Sequence, residues 1–257
     1  MARKPTKATA KPGAADTPTS GASDTTTGWV TLITGLCVSG FLLWRNVFAH
    51  LPMGFHEYNL LNTAFILWIP LIVGMCLLRR EPADIGFGVG DLPKGALVAL
   101  ICLVLFSPVI YYFAAQPAPQ EYYLGWMRSS GALDNLYPQF AGSNLAGYKG
   151  GVINAGGLAS HELVMGFYMF GWEYYHRGFL LSGFKKIMPV WGAVLAQAVL
   201  FTALHLGKPL AETASSFPGA ILMALLAIRY RSFLPCFLLH WFVSAGFDFA
   251  VLYHHFH

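Results

Sequence analysis

Long apolar runs separated by short polar segments fill most of the chain after residue 27. An apolar run of about 20 residues crosses the hydrocarbon core of a bilayer as one α-helix. The pattern therefore predicts an all-α, polytopic membrane helix bundle. We expect seven transmembrane helices, at about 28–48, 58–78, 94–114, 152–184, 189–207, 215–230 and 232–253. The fourth run is over-long and contains paired glycines, so an eighth helix follows if it splits there.

The composition supports the membrane class. Hydrophobic residues make up 56% of the chain and charged residues only 11%, whereas soluble domains carry about 25% charged residues. Residues 1–27 are rich in small and polar residues without apolar periodicity, which predicts a disordered tail ahead of a transmembrane domain at 28–257. The net charge of +4 comes largely from this tail and from short basic clusters, so nucleic-acid binding is not indicated.

The positions of Lys and Arg between the runs predict the orientation. The tail, Arg79 with Arg80, Lys185 with Lys186, and the pair Arg229 and Arg231 all fall on one side of a seven-helix bundle. Basic loops stay in the cytoplasm. We therefore expect a multi-pass protein of the cytoplasmic (inner) membrane, with a cytoplasmic N-terminus and an exoplasmic C-terminus. A eukaryotic endoplasmic-reticulum membrane is the alternative, and residues 115–151 form the largest outside loop.

Ionisable side chains inside the runs are few, and each one is costly in a membrane, by about 2.5–3.5 kcal/mol on insertion scales. Glu173 and Arg177 lie one turn apart in the fourth run, His205 lies near the end of the fifth, and His240 precedes Ser244 by four residues in the seventh. At a rise of 1.5 Å per residue, the three runs place these groups about 14–22 Å from the cytoplasmic boundary. We expect them to meet within the membrane, at or beyond its midplane.

The same residues resemble the motifs of the CAAX-processing and bacteriocin-processing intramembrane proteases, the CPBP or Abi family. Residues 172–177 resemble the first motif, Glu-Glu-x-x-x-Arg, with Trp172 at the first Glu. Residues 201–205 match the second motif, Phe-x-x-x-His. Residues 240–244 resemble the third, His-x-x-x-Asn or Asp, with Ser244 at the last position.

The resemblance covers roughly residues 150–250 and implies an intramembrane endopeptidase. Such an enzyme hydrolyses a peptide bond in or near the C-terminal or membrane segment of a protein substrate. The implied partners are membrane lipid and such a protein or peptide: a prenylated tail in eukaryotes, or a peptide precursor or sorting-signal helix in bacteria.

The identity of the water-activating base is the open question in this interpretation. The family's first Glu is regarded as that base, and here it is replaced by Trp172. We expect Glu173 to take the role, with Glu212 from the following loop as the substitute base. Glu162 shares a helix face with Glu173 but lies about 16 Å away, too far unless the helix breaks at one of the intervening glycines.

The resemblance implies a chemical role for each residue of the Glu173, His205 and His240 cluster. Glu173 and His205 would hold and deprotonate the attacking water, while His240 with Ser244 would stabilise the oxyanion. Arg177 would orient Glu173 or neutralise the substrate C-terminus. No cofactor is expected in this glutamate-type mechanism; the alternative is a divalent metal such as zinc held by Glu173, His205 and His240.

Other interpretations of the polar residues remain. His161 and Glu162 begin a His-Glu-x-x-His pattern, but Met165 stands at the second His, so that zinc motif is rejected. Asp248 continues the helix face of Ser244 at a four-residue step. Trp172 and Ser244 favour a catalytically inactive family member that acts as a membrane binding or immunity protein. A proton-coupled transporter would need paired broken helices or an inverted repeat, which the sequence does not contain.

Overall fold

The computed structural model describes residues 21–49, 52–142 and 150–256, and within these ranges it contains helices and no strand. The all-α prediction is confirmed. The helices, labelled in chain order, are α1 (Asp24–Ala49), α2 (Phe55–Leu77), α3 (Leu92–Ala114), α4 (Pro117–Ser129), α5 (Ala132–Leu136), α6 (155–184), α7 (Val190–Ala203), α8 (Leu210–Tyr230) and α9 (Leu234–Phe256).

Seven of these helices correspond to the seven predicted transmembrane runs. Among the described residues, α1, α2, α3, α8 and α9 are long and apolar enough to cross a membrane, and α7 is apolar but has only 14 residues. The fourth run does not split. Its α-helical part, Ala155–Glu173, continues as a π-helix over Tyr174–Leu180 and ends in Leu181–Phe184. The structure therefore gives no eighth helix within the fourth run.

Two boundaries differ from the prediction. Helix α1 begins at Asp24 because Ser23 caps it, its hydroxyl accepting a hydrogen bond from the backbone N–H of Thr26 at 3.1 Å. The predicted disordered tail therefore does not extend through residues 24–27, and residues 1–20 of that prediction lie outside the described residues. The predicted outside loop contains α4 and α5, with residues 143–149 again outside the description.

Basic residues gather at one end of the bundle and join several helices there. The carboxylate of Asp24 accepts hydrogen bonds from Arg80 at 2.7 Å and from Lys186 at 2.6 Å. The start of α3 lies beside the end of α8, because the N–H of Asp91 donates to the carbonyl of Tyr230 at 2.9 Å. Arg80 and Lys186, from two of the basic clusters that the positive-inside rule uses, are thus joined through Asp24.

Helix α6 lies in the centre of the fold and contacts α1, α2, α7, α8 and α9. Every residue from 171 to 181 is buried. The connection between α2 and α3 packs against this stretch at Gly86, where φ is +82° and an added Cβ would lie 2.3 Å from the carbonyl oxygen of Gly178. A glycine is needed at Gly86 because only glycine combines this backbone angle with so close an approach.

Candidate active site

Glu173 lies where α6 changes from α-helix to π-helix, and its side chain is fully buried. Its Oε1 accepts a hydrogen bond from Nδ1 of His240 at 2.6 Å and another from Nη1 of Arg177 at 3.3 Å. Nε of Arg177 lies 3.2 Å from Oε2. π-helical turns inside α-helices occur frequently at functional sites. The first and third motifs are thus in direct contact through a carboxylate–imidazole pair.

His205 is held by its own helix end. Its Nδ1 donates a hydrogen bond to the carbonyl of Phe201 at 2.8 Å, as the four-residue spacing of the second motif allows. Because a carbonyl or a carboxylate only accepts, Nδ1 carries the proton in both His205 and His240. The Nε2 atoms of the two rings are consequently the ones available for chemistry.

Both histidines line a cavity between α3, α7, α8 and α9. Its volume is about 480 Å³, and its polar lining includes His205, His240, Ser244 and Glu212. A smaller cavity of about 100 Å³ shares His205, His240 and Ser244 and reaches Trp172. Few polar groups converging in a largely apolar cavity are typical of a ligand site.

The predicted residues divide between this cavity and the protein interior. Glu173 and Arg177 are not among the described residues that line either cavity. Glu212 does line the larger one, where its carboxylate accepts hydrogen bonds from Lys208 at 2.8 Å and from the Tyr123 hydroxyl at 2.7 Å. Burial raises the pKa of Tyr123, so this hydroxyl keeps its proton and remains a donor.

Comparison with protein families agrees with these motifs. The model of a family described as type II CAAX prenyl endopeptidase Rce1-like matches residues 163–246. Over these residues the chain is similar to that family. The match spans the segments 172–177, 201–205 and 240–244, so the predicted family resemblance is confirmed there. Searches of curated proteins and of solved structures found no match.

Trp172 occupies the position of the first glutamate in this CAAX-protease motif, and its side chain is directed differently from that of Glu173. Trp172 lines the smaller cavity, and its ring meets the His205 ring edge to face with centroids 5.8 Å apart. The indole Nε1 is buried and has no acceptor among the described residues. Position 172 therefore faces the cavity, and position 173 faces the interior.

One further group of metal-ligating side chains lies beside the candidate site. In the described part of the chain, the ligand atoms that approach within 4.8 Å of one another belong to His161, Glu162 and Asp248. The sequence placed Asp248 on the same helix face as Ser244 but did not predict its contact with His161. No sequence signal pairs these residues, because they are 87 positions apart.

Proposed function

We propose that the protein is an intramembrane endopeptidase that cleaves a peptide bond in or near the C-terminal or membrane segment of a protein substrate. One observation carries the proposal: His205 and His240, each with its Nδ1 occupied, line a common cavity with Ser244. Two free imidazole nitrogens and a hydroxyl around one cavity suffice for water activation and oxyanion stabilisation.

The proposed base is His205. Its neutral Nε2 takes a proton from a water molecule, the water oxygen attacks the scissile carbonyl carbon, and the same proton passes to the leaving amine. The hydroxyl of Ser244 donates a hydrogen bond to the oxyanion, and His240 donates a second one through Nε2 when both of its ring nitrogens carry a proton. Each such donor contributes about 3–4 kcal/mol in a soluble protease. This scheme needs no metal at the reacting atoms.

Glu173 has a positioning role in this mechanism, in place of the base role expected from the sequence. It holds His240 in one tautomer and one orientation, as the aspartate of a Ser-His-Asp triad does for its histidine. Arg177 compensates the charge of Glu173 and fixes its orientation from one turn away. Glu212, already bonded to Lys208 and Tyr123, remains the substitute base to be tested.

The walls of the cavity are suited to binding an apolar segment of the substrate. Beyond its polar groups it is lined by Val109, Phe113, Met223, Val243 and Phe247 among others. Such walls suit a membrane-embedded or prenylated tail, and lipid surrounds the helices on the outside. We place the protein in the cytoplasmic membrane with the basic end, which carries Asp24 and Arg80, toward the cytoplasm.

A second function is favoured by Trp172, whose indole fills the cavity side where the family carries a carboxylate. An inactive family member would use the same cavity to bind a membrane segment without cleaving it. The two proposals differ in one measurable consequence, because only the peptidase converts a precursor into a shorter product.

The test uses three strains of the native host, which carry the wild-type chain, His205→Ala or His240→Ala. The termini of the membrane proteins in each strain are mapped by mass spectrometry and compared. We expect the same uncleaved precursor to accumulate in both variants. The matched control is His254→Ala, since His254 lies on the same helix as His240 but bonds to the carbonyl of Tyr111 outside the cavity. Absence of any precursor in both cavity variants refutes the peptidase and favours the binding protein.

The precursor found in this way then serves as the substrate in a cleavage assay with purified enzyme reconstituted in liposomes. The cleavage rates of the variants identify the base. A general base contributes about 10²–10⁴-fold to rate. We expect Glu212→Gln to retain cleavage within about tenfold of wild type, and His205→Ala to lose about 100-fold or more. The opposite ranking would assign the base to Glu212 and leave His205 as its hydrogen-bonding partner.

A further inference from the structure

Three metal-ligating side chains meet where the first half of α6 crosses the second half of α9. Nε2 of His161 lies 3.5 Å from Oδ2 of Asp248, and a carboxylate oxygen of Glu162 lies within 4.8 Å of both. His161 is only 4% exposed and Asp248 only 7%. We propose that these residues form a divalent cation site, separate from the Glu173 cluster and independent of the proposed peptidase activity.

The spacing fits one ion. Zinc binds imidazole nitrogen at about 2.0–2.1 Å and carboxylate oxygen at about 2.0–2.2 Å, so neighbouring ligand atoms of a tetrahedral ion are about 3.4 Å apart. The contact between His161 and Asp248 already has this length. Glu162 completes the set by a side-chain movement of at most about 1.4 Å, and water takes the fourth position.

The two carboxylates of the cluster have no Lys or Arg partner among the described residues. Glu162 and Asp248 are adjacent carboxylates in a membrane bundle, and no Lys or Arg of the described residues forms an ion pair with either one. Among the described residues, the ion pair of Asp248 is with His161, which supplies at most one positive charge. A divalent cation neutralises both carboxylates together, which removes the cost of burying them.

One buried oxygen in the cluster lacks a partner. Oε2 of Glu162 is buried and has no hydrogen-bond partner among the described residues. Buried polar atoms are paired in most native structures, so an orphaned carboxylate oxygen beside a histidine and a second carboxylate indicates a missing ligand. The ring plane of His161 is fixed by Phe55, which stacks on it at 4.4 Å with an interplanar angle of 14°.

The ligands of this cluster line two different cavities. A cavity of about 330 Å³ under α5 is lined by His161 together with His56, Asp134, Asn154 and Ser160. Asp248 lies on the other side, at the edge of the catalytic cavity and one turn from Ser244. A bound ion would therefore join α6 to α9 and hold the helix face that carries Ser244 in place.

The test uses the full chain purified in detergent with its affinity tag removed, incubated with excess zinc chloride, desalted and analysed for metal by mass spectrometry. We expect one zinc per wild-type chain beyond any background, and loss of that zinc in Asp248→Asn and His161→Ala. The controls are Glu212→Gln and Glu173→Gln, which remove nearby carboxylates without touching the site and should keep the metal.

A second measurement covers variants that fold poorly. Zinc at a hundredfold excess over its dissociation constant should raise the apparent Tm of the wild type by about 5 °C or more and leave that of Asp248→Asn unchanged. The proposal is overturned if the wild type holds no zinc. It is equally overturned if Asp248→Asn and His161→Ala keep the wild-type amount, which would assign the metal to the C-terminal histidines or to the Glu173 cluster.

Discussion

Replacing Glu173 by Gln tests the structure at the buried ion pair on which the site depends. The substitution keeps the shape of the side chain and removes its charge. Arg177 would then remain without a carboxylate, because its other contacts are the Phe201 ring at 4.2 Å and the Met223 sulfur at 3.7 Å. Neither group carries a charge, so a guanidinium with a fully buried side chain is left uncompensated.

The size of the effect follows from this burial. Removing one partner of a buried ion pair costs about 3–5 kcal/mol, because the remaining charge stays desolvated. For a domain of this size, 1 kcal/mol lowers Tm by about 2–4 °C. We therefore expect Glu173→Gln to lower the apparent Tm by about 6–20 °C. The amide oxygen of Gln can still accept from His240, so loss of that hydrogen bond adds little.

The assay is thermal unfolding in detergent, followed by intrinsic tryptophan fluorescence at one fixed scan rate. The double variant Glu173→Gln/Arg177→Met removes both charges, and we expect it to recover most of the lost Tm. Glu212→Gln is the matched control: its carboxylate pairs with a partly exposed Lys208, so its change should stay within about 1 kcal/mol.

Two outcomes would contradict the reasoning. A shift of less than about 2 °C for Glu173→Gln would mean that Arg177 is solvated or paired elsewhere. A double variant as unstable as the single one would mean that the loss comes from packing around residue 173 rather than from an unpaired charge. Either result would show that the Glu173–Arg177 pair does not contribute the stability assigned to it here.

Three more predictions concern the cavity, the backbone and the orientation. Trp172→Glu restores a carboxylate that faces His205, so we expect cleavage of the identified precursor to rise at least about 10-fold; no gain would refute the cavity-facing position of this side chain. Gly86→Ala should cost at least about 1–3 kcal/mol in thermal unfolding, because its Cβ would collide with the Gly178 carbonyl at a positive φ. In a cysteine-free chain, Asp91→Cys and Ser129→Cys should react with a membrane-impermeant maleimide from opposite sides; labelling from the same side would refute the orientation.

The sequence alone determined the helices and the cluster. Apolar runs had to match the thickness of a bilayer, so their lengths gave seven helices whose bounds the structure changed by only a few residues at most ends. The 1.5 Å rise of a helix placed Glu173 and His240 at matching depths, and the structure brings them into contact at 2.6 Å. The motif spacing at 163–246 was likewise enough to indicate the family.

The tertiary structure alone decided how each helix is rotated about its axis. Consecutive helical residues point about 100° apart, so Trp172 and Glu173 cannot both face the cavity, and the sequence does not say which one does. Packing against α9 turned Glu173 toward His240 and Trp172 toward His205. The same packing set His161 beside Asp248, a contact between distant segments that no local pattern encodes. Depth within the membrane is a property of one helix, whereas the direction of a side chain depends on its neighbours.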